Sequence, residues 1–313
     1  MENIFIHIGY PKTGTTFLQE KVFPTFSNVK YIGKSNSINH AIYSKLYEYV
    51  FFRKDIYFND LVKYFKKVQE KNLLISEEDF IFNSLRFSQH SDSIHYLVSL
   101  KRILNIFNEL DISVKIIVTK RSLVELLKSV YSQSYTNFYS LSKDTNNFND
   151  FINRLLVTNE TNSNWRNFLD AINNDKLIED LKELIPAENI IVNNYIDFKE
   201  NPQNFINSFF GKHYIFKKNE LDITNIDFNN KTNTRSNKNS KDYKTNDNLL
   251  FNKLLNIKNV LFSNLKIKSK SIKKKLMKIK IGKSKTINLS ISNEQERLLI
   301  KKLSGLPIRN NEI

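Results

Sequence analysis

Short apolar runs and longer stretches with apolar positions three and four apart alternate along the first two thirds of the chain. Ile4, Ile6 and Ile8 alternate with Phe5 and His7, which predicts a buried strand over residues 3–8. Gly9 and Pro11 end it, and Thr15 or Thr16 can cap a helix that runs from about Phe17. A short apolar piece at 29–32 follows, then an aromatic-rich helical stretch from 38 to 70. Asn72-Leu-Leu-Ile-Ser76 reads as a second main strand, residues 93–109 as a helix, and Val114-Lys-Ile-Ile-Val-Thr119 as a third main strand. Ser122 and Glu125 have the spacing of a capping box for the next helix. Residues 189–193 fit another strand, 202–210 begin a further helix, and 293–303 form a last one. Residues 220–250, rich in Asn, Lys, Thr and Asp, read as an irregular connection. There is no internal repeat. Strands alternating with helices predict an α/β fold with a mainly parallel central sheet flanked by helices. Ligands of such sheets lie beyond the strand carboxyl ends.

Composition narrows this picture. With 313 residues, 40% of them hydrophobic, the chain can bury a full core. The absence of cysteine excludes disulfides, Cys-ligated zinc and a thiol nucleophile. The chain enters its first strand with no basic and apolar leader, and no apolar run approaches the roughly 20 residues that span a bilayer. The expectation is a cytoplasmic protein. Charge changes the picture more. The net charge is +16, yet residues 252–285 carry twelve lysines and no acid, which leaves +4 for everything else. In that segment Leu254, Ile257, Leu261 and Leu265, then Ile272, Leu276 and Ile279, recur at helical steps among the lysines. It reads either as a basic amphipathic helix for an anionic membrane surface or as a solvated insertion. Nucleic acid suits it less, since aromatic residues hardly interleave with the lysines. The expected organisation is an α/β domain over 1–250, the basic segment over 251–286, and a helix in 287–313 that packs back on the main domain.

The chemistry begins where the first strand ends. Strand, tight turn and helix N-terminus together form an anion site, because free N–H groups and the positive end of the helix dipole converge there. Gly14 lets a phosphate approach the main chain, Thr15 and Thr16 add hydroxyls, and Lys12 adds a mobile positive charge. A Walker A loop places its lysine after the second glycine of Gly-x-x-x-x-Gly-Lys, whereas here Lys12 precedes Gly14. Tyr10-Pro11-Lys12-Thr13-Gly14-Thr15-Thr16 instead resembles the 5′-phosphosulfate loop of sulfotransferases that use 3′-phosphoadenosine 5′-phosphosulfate (PAPS). In Thr119-Lys-Arg-Ser-Leu-Val-Glu-Leu-Leu-Lys-Ser129, Arg121 closes a strand and Ser129 lies eight residues on, the spacing at which that family holds the 3′-phosphate. The stretch Asn194-Tyr-Ile-Asp-Phe-Lys-Glu-Asn-Pro to Phe-Phe-Gly211 is similar to a late stretch of the same enzymes, with Ile196 where their glutamate stands. The likeness covers roughly residues 1–211 and is nearest to the bacterial-type branch, whose members often modify glycans or lipids.

The resemblance implies a P-loop-like sulfotransferase architecture with a basic helical appendage. It also implies PAPS as cosubstrate and adenosine 3′,5′-bisphosphate as product. Pro11, Lys12, Thr13, Gly14, Thr15 and Thr16 would form the 5′ loop, and Lys12 would neutralise the bridging oxygen of the leaving group. Arg121 and Ser129 would hold the 3′-phosphate, with Arg235 on a late basic loop as a second ligand. No metal is implied, since lysine, arginine and the helix terminus supply the positive charge. The acceptor hydroxyl needs a base. Glu77 and Glu78 follow the second main strand, where successive side chains face opposite ways. The Ser-x-Glu pattern of bacterial-type relatives selects Glu78, and Glu77 stays as the alternative. His7 reads as a satisfied core residue that can border the loop. Tyr131, Tyr135 and Tyr139 share a helical face, as core or as a sugar-stacking surface, and the polar stretch 136–165 suits an acceptor-side lid. The expected activity is sulfation of a hydroxyl on a glycan or glycolipid. The alternatives are a nucleotide-dependent kinase and a basic binding protein without activity.

Overall fold

The computed structural model describes residues 1–10, 13–26, 29–34, 39–85, 93–135, 145–158, 163–207, 242–246 and 284–306, with backbone alone at 242–246 and 284–286. Its centre is a five-stranded, all-parallel sheet in the order β2-β3-β1-β4-β5. The strands are β1 (Asn3–Gly9), β2 (Val29–Gly33), β3 (Asn72–Ser76), β4 (Val114–Lys120) and β5 (Ile190–Asn194). Ile4, Phe5, Ile6 and Ile8 are all fully buried. A central parallel strand covered on both faces has this continuous apolar character.

β1 leads into α1 (Thr15–Phe17), which continues as a π-helical turn (Leu18–Val22) and a 3-10 turn (Phe23–Thr25). Leu18, Val22 and Phe23 from this segment cover Phe5, Leu74, Ile117 and Ile191 on one sheet face. Phe198 of α10 (Tyr195–Glu200) and Phe205 of α11 (Pro202–Phe205) complete that layer. The aromatic-rich stretch forms α2 (His40–Phe51) and α3 (Phe58–Phe65), and β3 leads into α4 (Asp79–Phe82) and then α5 (Tyr96–Asn108). Phe51 packs on Phe80 at 5.2 Å and Phe65 on Phe107 at 5.1 Å. After β4 come α6 (Leu123–Ser134), α7 (Phe148–Val157), α8 (Ser163–Ile172) and α9 (Asn174–Lys182).

The described residues divide into two compact units, one holding 1–129 and 163–207, the other 130–158, 242–246 and 284–306. The second contains α7, the strands β6 (Asp242–Asn246) and β7 (Ser284–Asn288), and α12 (Asn293–Leu303). β6 pairs antiparallel with β7, so part of the stretch expected to be irregular is a strand. Tyr131 and Tyr135 are buried core residues: the Tyr131 ring packs with Tyr135, Phe148 and Phe151, and the two hydroxyls donate to the carbonyls of Thr145 and Asn146 respectively. They offer no stacking surface, and Tyr139 lies outside the described residues. Residues 148–157 of the expected lid are a helix with its apolar face buried. α12 starts on a capping box between Ser292 and Gln295, and Lys302 donates to the carbonyls of Leu156 and Thr158 near the end of α7. No helix among the described residues is long and apolar enough to cross a membrane. The amphipathic pattern over 252–285 lies almost wholly outside them.

Candidate active site

The turn after β1 is closed by one carbonyl. Tyr10 O accepts from Thr13 N at 3.3 Å and from Thr13 Oγ1 at 2.7 Å. Gly14 has φ +78° and is the N-cap of α1, and its carbonyl accepts from Leu18 N at 3.0 Å. The expected threonine cap is therefore not formed. The hydroxyls of Thr13 and Thr15, both buried, turn inward instead, and Thr15 Oγ1 donates to Glu78 Oε2 at 3.1 Å. Thr15 and Thr16 open the helix, so their N–H groups have no carbonyl one turn back within it and are the kind of donor an anion can use. Thr16 keeps a half-buried side chain there. Two glycines shape the turn. A Cβ on Gly9 would come within 2.5 Å of Thr15 Cγ2 and 3.1 Å of Thr13 Oγ1, so the loop folds down onto bare strand backbone. A Cβ on Gly14 would meet the Phe198 ring at 2.3 Å. Gly14 is thus required by its left-handed backbone and by Phe198, beyond any phosphate approach. Pro11 and Lys12 lie outside the described residues.

Beneath the loop runs a buried polar chain. His7 Nδ1 lies 2.8 Å from Ser76 Oγ, and His7 Nε2 lies 3.5 Å from Thr119 Oγ1. Gln19 Nε2 donates to Ser76 Oγ at 3.0 Å and to Ser76 O at 3.3 Å. These side chains tie β1, β3, β4 and the segment after α1 together. His7 is 1% exposed with its edge to Phe23, and burial pulls it from 6.5 down to about 4, which keeps it neutral. The expectation of a satisfied core histidine next to the loop matches this position.

The end of β3 separates its acids. Glu77 is 3% exposed, its Oε1 accepts from Asp79 N at 3.1 Å, and its other oxygen accepts the Tyr43 hydroxyl. Burial, then the Asp79 carboxylate, pushes Glu77 up to about 7. Tyr47 donates to Asp79 in turn. Glu78 is the N-cap of α4, and its partly exposed side chain goes the other way, to Thr15. The two glutamates do occupy different environments, as strand alternation predicts.

Arg121 stands one residue past β4. Its guanidinium carbon lies 5.2 Å from the Tyr195 ring centre, its Nη2 is 3.4 Å from Glu125, and its carbonyl accepts from Asn174 Nδ2 at 3.1 Å. Tyr195 packs against Phe198 at 6.3 Å, and Phe198 rests on Gly14 and Phe17. Arg121 and the Gly14 turn therefore border one aromatic pair. Ser129 is 6% exposed, two turns into α6. Arg235 lies outside the described residues. Sequence reasoning missed Gln19, Tyr43, Tyr47 and the Tyr195–Phe198 bridge. Only the bridge had a signal, in the Tyr-Ile-Asp-Phe stretch.

No protein-family model matches this sequence, and no curated protein does either. Among solved structures the chain is similar to a sulfotransferase from Alicyclobacillus acidocaldarius, at 13% identity and a TM-score of 0.38, over 64% of this chain and 76% of that one. It is also similar to the sulfotransferase domain from the curacin biosynthetic pathway, at 14% identity and a TM-score of 0.29, over 65% of this chain and 70% of that one. Neither likeness carries a residue correspondence into this chain.

Proposed function

We propose that the chain is a sulfotransferase that moves a sulfuryl group from PAPS to the hydroxyl of a glycan or glycolipid. The observation that carries this reading is the order of groups along the sheet's carboxyl edge. β3, β1 and β4 are neighbours, and they deliver Glu78, the Gly14 turn and Arg121 respectively. That row supplies a carboxylate, an anion-binding helix start and a fixed guanidinium, as a doubly phosphorylated sulfuryl donor and an acceptor alcohol require. PAPS supplies the activated sulfur. In the transfer, the bond from sulfur to the bridging oxygen breaks as the bond to the acceptor oxygen forms. Glu78 takes the acceptor's proton, and Lys12 neutralises the charge left on the bridging oxygen. Positioning and electrostatics dominate, as in phosphoryl transfer. The N–H groups of the turn and Thr16 hold the 5′-phosphate, while Arg121 and Ser129 hold the 3′-phosphate, joined by Arg235. The enzyme works in the cytoplasm, drawn to anionic membrane by the lysines of 252–285.

The test is ligand-induced stabilisation followed by transfer. Adenosine 3′,5′-bisphosphate raises the Tm far more than ADP or ATP with Mg2+, because it alone fills both phosphate sites. Sulfur-labelled PAPS then labels acceptors in glycan and lipid extracts, and Lys12→Ala and Glu78→Gln each abolish labelling. Equal shifts with ADP overturn the reading in favour of a kinase, and no shift with any nucleotide favours a binding protein.

A further inference from the structure

We propose that Tyr43 and Tyr47 are positioning residues that aim Glu78 at the Gly14 turn by fastening the acids on either side of it. The inference rests on reading Glu78 as the base. Glu77, Glu78 and Asp79 leave β3 in succession, and their side chains have different fates. Glu77 is anchored twice, by the Asp79 N–H and by the Tyr43 hydroxyl, while Asp79, 6% exposed, accepts the Tyr47 hydroxyl. Tyr43 and Tyr47 lie one turn apart on α2 with ring centres 5.9 Å apart, so a single helix face presents two phenols to two acids. The backbone is fixed from both sides as well. Glu77 N donates to His7 O at 3.2 Å, and the Glu78 carbonyl accepts from Ile81 N at 3.2 Å and Phe82 N at 2.9 Å. With its neighbours held on α2, Glu78 is the one acid of the three whose carboxylate meets Thr15.

The donor chemistry suits this task. A phenol has one proton to give and no charge, so it satisfies a buried carboxylate without adding a cation that could itself pair with Glu78. Among the described residues, Lys34 adds a weaker attraction that opposes the upward push on Glu77. These contacts join Tyr43 and Tyr47 to Glu77 and Asp79, so the effect on transfer is exerted through the direction of the Glu78 side chain between them.

The test uses the full chain and reads position separately from activity. Position is read from the carbon-13 resonance of the Glu78 carboxyl, with Thr15→Val as the reference for a lost hydrogen bond. Activity is transfer from PAPS to 4-nitrophenol. The Tyr43→Phe/Tyr47→Phe double variant is expected to bind adenosine 3′,5′-bisphosphate within about twofold of wild type. Its kcat falls about tenfold or more at unchanged KM for PAPS, and its Glu78 resonance moves to the Thr15→Val position. Full kcat with an unmoved resonance overturns the proposal. Should the double variant not fold, Tyr47→Phe alone decides by the same readouts, with a loss of about threefold. Glu77→Gln keeps an acceptor for the Asp79 N–H and a donor for the Tyr43 oxygen, so its Glu78 resonance is expected at the wild-type position and its transfer above that of Glu78→Gln. A loss as deep as that of Glu78→Gln makes Glu77 the base and overturns the proposal. If wild type shows no bisphosphate shift, the functional reading fails, and the Glu78 resonance alone then decides whether the phenols aim this side chain.

Discussion

A methyl group on Gly14 meets two obstacles, and Gly305 allows them to be separated. Both glycines have positive φ, +78° and +72°, but a Cβ on Gly14 strikes Phe198 whereas one on Gly305 meets nothing within 4 Å. The left-handed backbone costs a non-glycine residue about 1–2 kcal/mol, and forcing a carbon into a packed ring adds about 1–3 kcal/mol. Urea unfolding is expected to show a larger loss for Gly14→Ala than for Gly305→Ala. Equal losses would remove Phe198 from the account. Titration offers a second residue-scale prediction. His7 is lowered to about 4, so between there and 6.5 the unfolded chain binds the proton more readily and stability rises with pH. Glu77 is raised to about 7, so between 4.5 and there the folded chain binds the proton and stability falls with pH. Each effect is on the order of 3 kcal/mol, and they oppose each other over the shared window. Glu77→Gln is expected to make stability rise more steeply between pH 5 and 6.5, and His7→Asn to make it fall relative to wild type. Parallel pH curves for all three proteins would show that neither group is perturbed by its burial.

The elements show where sequence patterning suffices. Ile4, Ile6 and Ile8, Leu73 to Ile75 and Ile116 to Val118 form strands because a doubly covered parallel sheet needs continuous apolar runs, and such runs are local signals. α12 falls on the residues 293–303 read as a helix, and the structure adds a Ser292–Gln295 capping box at its start. β6 was not, because Asp242-Tyr-Lys-Thr-Asn246 has no apolar run and takes its shape from β7, far along the chain. The cap of α1 misled for a physical reason: threonine is a good cap, but here the helix begins at Thr15 itself, whose hydroxyl goes to Glu78, and Gly14 supplies the cap backbone. Tyr43 and Tyr47 were illegible because their meaning depends on which face of α2 meets the end of β3, and helical period alone leaves that open. The cap of α12 can be tested directly. Ser292→Ala should lower stability by about 1 kcal/mol in urea unfolding. Gln295 also donates to Asn149 and Asn153 on α7, so Gln295→Ala should cost more. A smaller loss for Gln295→Ala would reduce those contacts to surface decoration.

Over the whole molecule, parallel strands collect distant residues on one edge, and charge is concentrated elsewhere in the sequence. Loop, acid and guanidinium come from positions near 14, 78 and 121, yet adjacent strands set them side by side. Twelve of the lysines lie in 252–285, and without them the net charge is +4 rather than +16. A basic segment separate in sequence from the proposed phosphate-binding residues can serve membrane attraction while the sheet edge serves the proposed chemistry. The two roles predict separable losses. Near an anionic bilayer each lysine contributes about 1 kcal/mol, and the attraction decays over a screening length of about 10 Å at 0.1 M salt. Replacing Lys273, Lys274, Lys275, Lys278, Lys280 and Lys283 with glutamine should weaken sedimentation with phosphatidylserine vesicles by at least tenfold. Raising salt from 50 to 300 mM should weaken the wild-type protein in the same direction, and phosphatidylcholine vesicles should retain little of either. The Tm shift with adenosine 3′,5′-bisphosphate should be the same in both proteins, since none of the six lysines belongs to the proposed phosphate sites. Binding that ignores salt, or its absence, rules out the membrane role. A bisphosphate shift lost along with the lysines would instead place part of the nucleotide site in the basic segment.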